Sequence, residues 1–234
     1  LKKKERCCVL KKLREKHYDE IKLLNIGEDL FTPKKRIDGL KDAELKGYKT
    51  VVIDDGMQDY SFKKDISILC IKSSKAFGNE KILPCGPLRE PLSSIKNYTV
   101  SVINGDKNEY IEEILKQYNP SIKIFYSYYE IVNANNFLNK KFLAFSGIAD
   151  NQSFFDILNK NKIDVYHQEK FKDHYNFTKV DMEKLFKICK EKNLELITTE
   201  KNYFGLDEVF KSKINFIKLN LKIKNFGDFL NEII

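Results

Sequence analysis

Two adjacent carboxylates, Asp54 and Asp55, follow the β-branched run Lys49–Ile53 and precede Gly56. A strand of that kind carries both side chains to its C-terminal end, where doubly wound sheets bind their ligands. A carboxylate held there can bind Mg²⁺ directly or through water at ~2.1 Å, as the Walker-B Asp of P-loop enzymes does. The same residues also suit a strand that ends in an ordinary Asp-Gly turn. Further along, Ile82-Leu83-Pro84-Cys85-Gly86-Pro87-Leu88-Arg89-Glu90-Pro91 sets three prolines and a glycine within ten residues, which makes a rigid loop with little entropy to lose on ordering. Arg89 in that loop can grip a phosphate or carboxylate as a bidentate fork. Its plainer use is a surface pair with Glu90, worth under ~1 kcal/mol.

Phe171-Lys172-Asp173-His174-Tyr175 places an acid beside the one histidine with polar neighbours in an expected loop. Such a histidine can serve as general base, proton shuttle or partner to another base, although a lone histidine is more often structural. His17 and His167 lack comparable surroundings. Thr198-Thr199-Glu200-Lys201 closes a second strand, and Lys201 can either reach a phosphate from that end or simply stay in water.

These groups need a scaffold, and the patterning is that of alternating strands and helices. Cys7–Leu10, Lys49–Ile53, Ile66–Ile71, Tyr98–Ile103 and Ile122–Tyr129 read as strands, the unbroken apolar runs suggesting parallel strands buried on both faces. Thr32–Leu45 reads as a helix with Thr32 as N-cap, Pro33 at its first position and Gly47 closing it. Glu109–Tyr118 reads as a second helix. The Asn-rich stretch from Glu130 to Asn139 reads as a connection, so the domains expected are residues 1–132 and 133–234. Beyond it Phe142–Phe145, a glycine and Gln152–Asn159 start a fresh strand-to-helix unit, followed by helix Asp181–Lys192 and strand Leu194–Thr198. Both halves are therefore expected to be α/β.

Composition bounds the function. The 234 residues are 42% hydrophobic and 32% charged, too apolar for disorder and too charged for a membrane bundle. The longest apolar runs fall far short of the roughly 20 residues a membrane-crossing helix needs. With 42 Lys and Arg against 34 Asp and Glu, the net charge of +8 favours anionic partners: nucleic acid, phosphorylated metabolites or acidic lipid surfaces. Five cysteines, odd in number and without a CxxC spacing, argue against a disulfide framework or zinc site and suit a reducing cytoplasm. Cys70 and Cys189 sit in apolar patterns where a small hydrophobe is expected.

In order along the chain, Val52-Ile53-Asp54-Asp55-Gly56-Met57-Gln58-Asp59, Phe77-Gly78-Asn79, Leu83-Pro84-Cys85-Gly86-Pro87-Leu88-Arg89-Glu90-Pro91, Phe145-Ser146-Gly147-Ile148, Asp173-His174-Tyr175 and Thr199-Glu200-Lys201 closely resemble the tetraacyldisaccharide 4'-kinase (lipid A 4'-kinase) family. The resemblance runs from about Lys16 to the C-terminus. It implies an α/β fold built on a P-loop-NTPase-like, mostly parallel sheet with helices on both faces, plus a second, smaller α/β domain. It implies a kinase of lipid A biosynthesis that uses ATP and Mg²⁺ to phosphorylate the 4'-hydroxyl of a tetraacylated glucosamine disaccharide 1-phosphate. The place implied is the cytoplasmic face of the Gram-negative inner membrane, bound peripherally to the membrane surface, with no nucleic-acid or protein partner. The +8 charge fits a protein beside anionic lipid.

Residue by residue, the resemblance implies Asp19, within Tyr18-Asp19-Glu20, as the base for the sugar hydroxyl and His174 as its partner. It implies Asp54, Asp55 and Glu90 at the metal, and Gln58, Arg89 and Lys201 at substrate or phosphate. There are departures. No G-x-x-x-x-G-K-[ST] and no Gly-Lys dipeptide occur, Tyr18 replaces a usual glycine, Met57 a common Phe, and Asn202 an Asp usual after Thr-Glu-Lys. Together with the initial Leu1, they lead to the expectation of an N-terminally truncated chain, lacking the first strand, the phosphate loop, most of the first helix and any membrane anchor. On its own such a fragment is expected to be soluble and inactive. Two other classes stay open: a non-catalytic, P-loop-less lipid- or nucleotide-binding relative, and a nucleic-acid-binding α/β protein. The second lacks any RNP-like or helix-turn-helix pattern.

Overall fold

A computed structural model describes residues 7–11 and 29–233. The first elements are β1 (Cys7–Leu10), β2 (Leu30–Phe31), α1 (Arg36–Leu45) and β3 (Thr50–Ile53). After them come β4 (Ile68–Lys72), β5 (Val100–Asn104), α2 (Glu109–Tyr118) and β6 (Lys123–Ile131). The third group is β7 (Lys141–Ser146), α3 (Asn151–Lys160), β8 (Asp164–Lys170), α4 (Lys179–Lys192) and β9 (Glu195–Thr199). The chain then continues through α5 (Glu200–Gly205), α6 (Glu208–Lys211), β10 (Ile214–Ile217), β11 (Leu219–Ile223) and α7 (Phe226–Ile233). Two compact units result, one of the described residues up to Ser61 with Ile131–Leu219, the other of Phe62–Glu130 with the residues from Asn220 on.

The first unit holds two sheets. One has the order β2-β1-β3 with both pairings parallel. The other has the order β10-β9-β7-β8, again parallel throughout. Its central strand β7 is buried from Phe142 to Ser146, and its side chains alternate between two cores. Phe142 and Ala144 pack with Phe154, Phe155 and Leu158 of α3. Leu143 and Phe145 pack with Met182, Leu185 and Cys189 of α4. Helices thus cover both faces, the arrangement expected for parallel strands.

α4 begins with a reciprocal cap: Thr178 Oγ1 accepts from the Asp181 amide at 3.2 Å, and Asp181 Oδ2 accepts from the Thr178 amide at 2.9 Å. The Thr178 hydroxyl and amide bonds hold the Asp181 carboxyl below the usual carboxylate range. The stability this adds is present above the unfolded carboxyl's pKa and is lost as pH falls through the lowered one. Thr178→Ala is expected to cost ~1 kcal/mol, read as a lower urea midpoint at neutral pH, and Asp181→Asn to flatten the acid limb of the stability profile.

The second unit has the sheet β11-β6-β5-β4, with β4, β5 and β6 parallel. Ile103 of β5 packs with Ile111 and Leu115 of α2. Val100 and Val102 pack with Phe229 of α7, whose ring meets Phe125 edge-on at 5.4 Å. Here too, helices lie on both faces.

Several expectations need correction. Helix α1 starts at Arg36 after Lys35, without a side-chain cap, so Thr32 and Pro33 lie in the approach to it. β3 and β4 are not buried on both faces. β3 is the outer strand of its sheet and β4 of its own, and Val52 and Ile68 are 52% and 40% exposed, so their β-branched runs reflect strand propensity rather than burial. Cys70 is exposed, whereas Cys189 is buried in the α4 core, and burial pushes its thiol up to about 11. The segment read as a connection supplies the last residues of β6 and a 3₁₀ turn at Ala134–Phe137.

Candidate active site

The turn after β3 is built by a residue the sequence reading passed over. Asp54 continues the ladder, its amide donating to Leu10 O at 3.0 Å, and Asp55 then takes a left-handed conformation at φ 53°, which Asp tolerates better than most residues. Arg36, only 8% exposed at the start of α1, donates from Nη2 to the carbonyls of Asp54 at 3.1 Å and Asp55 at 2.8 Å. Its Nη1 lies 3.5 Å from Asp59 Oδ2. Asp59 is in turn bonded by the Ser61 hydroxyl and amide at 2.6 and 3.1 Å, and these bonds, with Arg36, hold its carboxyl below the usual range. One guanidinium therefore pins both peptide groups of the turn and turns their carboxylates outward. Asp54 and Asp55 are exposed, as is Gln58 on the same turn, and Asp54 Oδ2 pairs with Lys11 Nζ at 2.7 Å. The signal in the sequence is an arginine three residues past a Thr-Pro, at the end of a Lys-Lys-Arg run, which says nothing of a partner 18 residues away.

Arg89 and Glu90 lie on the second unit, at the end of the proline-rich loop. The loop closes on itself: Leu83 N donates to Leu88 O at 2.8 Å, Leu88 N to Lys81 O at 3.1 Å, and Asn79 Nδ2 to Cys85 O at 2.9 Å. A Cβ on Gly86 would overlap Asn79 Oδ1 and the Lys81 carbonyl oxygen. Gly86→Ala must open this closure, and overpacking of that kind costs ~1–3 kcal/mol. The expected result is an earlier urea transition for this unit, read by far-UV circular dichroism.

The third cluster sits on the β10-β9-β7-β8 sheet. The chain leaves β7 for β8 on one side and returns to β9 on the other, so β7 is the point at which the winding reverses, and the crevice outside the C-terminal ends of such strands is where ligands bind. His174 follows β8, Gly147 follows β7 and Lys201 follows β9, all at that end. Lys201 Nζ lies 3.5 Å from His174 Nδ1 and 3.8 Å from Asp173 Oδ1, and His174 itself is left-handed at φ 55°. His174 is therefore brought together with Lys201 as well as with its neighbour Asp173, a meeting with Lys201 that neither motif points to. Asp19 lies outside the described residues.

The chain also resembles known proteins. A family model described as tetraacyldisaccharide-1-P 4'-kinase matches residues 15–234. The chain belongs to this family. The tetraacyldisaccharide 4'-kinase of Pelagibacter ubique (strain HTCC1062) is 34% identical over 232 residues, 98% of this chain and 74% of the relative. That of Rickettsia typhi (strain ATCC VR-144 / Wilmington) is 33% identical over 184 residues, 78% of this chain and 56% of the relative. That of Rickettsia akari (strain Hartford) is 34% identical over 185 residues, 78% and 55%. The chain thus spans about three quarters of the first relative and just over half of the other two. No solved structure matches it.

Whether Asp54 and Asp55 suit Mg²⁺ turns on their setting. Both are exposed acids on a turn whose backbone is held by Arg36, and Asp54 also pairs with Lys11 at 2.7 Å. Among the described residues no group of three or more His, Cys, Asp or Glu gathers to enclose an ion. Mg²⁺ is usually held by one or two carboxylates with water and substrate phosphates completing its shell, and two adjacent exposed acids are a donor set of that kind.

Proposed function

We propose that the chain forms the larger part of a kinase that moves the γ-phosphoryl group of ATP to the 4'-hydroxyl of a tetraacyl glucosamine disaccharide 1-phosphate. Family membership and the names of the relatives support the reaction. The observation that carries it to residues is the Asp54-Asp55 turn, two outward carboxylates at a parallel strand's C-terminal end with their backbone pinned by a buried arginine. Asp19 takes the proton of the 4'-hydroxyl as its oxygen bonds the γ-phosphorus and the bond to the bridging oxygen breaks. His174, beside Lys201 and Asp173, orients or relays that proton. Asp54 and Asp55 would hold Mg²⁺, which when bound would neutralise charge on the phosphoryl oxygens, and Glu90 keeps the metal-side role that the family motif gives it. Gln58, Arg89 and Lys201 face phosphate groups. Residues 1–132 act as the nucleotide-handling part and 133–234 as the second domain, working at the inner membrane's cytoplasmic surface. No helix of the described residues is long and apolar enough to cross a membrane, and the +8 charge suits attraction to anionic lipid.

The test is transfer of labelled phosphate from Mg²⁺-ATP to the lipid acceptor. The intact gene product is expected to phosphorylate the 4' position, and failure to do so with lipid and ATP present would overturn the reading. The 234-residue chain has no Gly-Lys dipeptide to supply a P-loop lysine, so by itself it is expected to show no turnover.

A further inference from the structure

Asn202 stands where Asp is usual after Thr-Glu-Lys, and both polar atoms of its buried side chain are hydrogen-bonded. It is 6% exposed. Its Oδ1 accepts from the Gly147 amide at 2.9 Å and from the Thr199 hydroxyl at 3.0 Å, while its Nδ2 donates to the Gly147 carbonyl at 3.3 Å. The orientation of the amide follows from those partners, since the reverse would face NH₂ against two donors. Asn202 therefore clamps both polar atoms of one residue, Gly147, at the C-terminal end of β7, the strand where the winding reverses.

Gly147 is the floor of the loop that carries His174. A Cβ there would lie 3.0 Å from both the Lys172 carbonyl oxygen and Tyr175 Cβ, so the backbone passes directly beneath the residues flanking Asp173 and His174. Asn151 ties down the start of the same loop, donating from Nδ2 to Phe171 O at 2.9 Å and accepting the Ile148 amide at 3.2 Å. On its other side Asn202 adjoins Lys201 in α5, whose Nζ sits 3.5 Å from His174 Nδ1. One buried amide thus fixes the surface beneath His174 and the helix turn that presents its cationic neighbour.

We propose that Asn202 is a positioning residue, setting the place of His174 against Lys201 through the Gly147 clamp. This rests on the reading of His174 as a member of the reaction site, but the geometry of the clamp does not, and the two can be tested apart. In the 234-residue chain, amide exchange at Gly147 and the His174 ring resonances are followed by NMR across pH. Asn202→Ala is expected to speed Gly147 exchange at least tenfold and to move the His174 ring signals. Asn202→Asp keeps the acceptor and removes the donor, so it is expected to give a smaller shift of the same kind and serves as the deciding variant should the alanine chain not fold. Gly147→Ala leaves Asn202 in place and is expected to move the same ring signals by pressing on Lys172 and Tyr175. His174 resonances unmoved in a folded Asn202 variant would overturn the proposal. In the intact gene product the Asn202 variants are expected to lower kcat with KM for ATP unchanged, and an increase in KM alone would also overturn it. Absence of kinase activity in the parent would count against the kinase reading while the NMR comparison still decides the clamp.

Discussion

Asp54→Asn and Asp55→Asn, made separately in the intact gene product, are each expected to reduce kcat by ~10²-fold or more, the scale of losing several kcal/mol of metal-borne charge stabilisation. Asparagine is the informative replacement. It keeps side-chain volume and tolerates the left-handed backbone at position 55, where φ is 53°. It also leaves untouched the Arg36 bonds, which run to the carbonyls and not to the carboxylates. Fold should therefore survive while Mg²⁺ dependence changes. The check is a Mg²⁺ titration of initial rate beside a thermal melt. Rates within a few-fold of the parent at ordinary Mg²⁺ would refute metal ligation by this turn. Asp54→Asn additionally removes the 2.7 Å pair with Lys11, which at 48% exposure of the carboxylate contributes little to stability.

The second large effect is expected from Asp19 and His174. If one accepts the hydroxyl proton and the other holds or relays it, each single alanine variant removes most of the rate, and the double variant is little worse than the worse single one, because residues acting as a unit lose activity non-additively. Steady-state kcat for the four proteins of the cycle measures this. Strictly multiplicative losses would separate the two residues and leave His174 as a structural member of the Asp173–Lys201 cluster.

Much of this protein is determined by its sequence alone. The strands β1, β3 and β7 and the helices α2, α3 and α4 fall within a few residues of where local patterning puts them, because β1, β7 and the helices bury a face whose period is visible locally and β3 is a β-branched run with strand propensity of its own. Asn108 and Thr178, capping α2 and α4, act through bonds to residues three further along the chain, so they too are local. The ordered motifs likewise carry the family, since they are short runs that need no partner to be recognised. Other features depend on residues far apart in sequence. Burial of β3 and Cys70 was misjudged because an apolar run does not say whether its strand is central or outer, and that is set by which strands pair. The short strands β2, β10 and β11 exist only through neighbours they meet in space. Arg36 reaches across 18 residues to pin the Asp54-Asp55 turn, and Asn202 across 55 to clamp Gly147. A chemistry-bearing side chain is legible from its own motif, whereas the groups that hold it still are chosen by tertiary packing, because a hydrogen bond between distant residues leaves no periodicity in the chain that forms it.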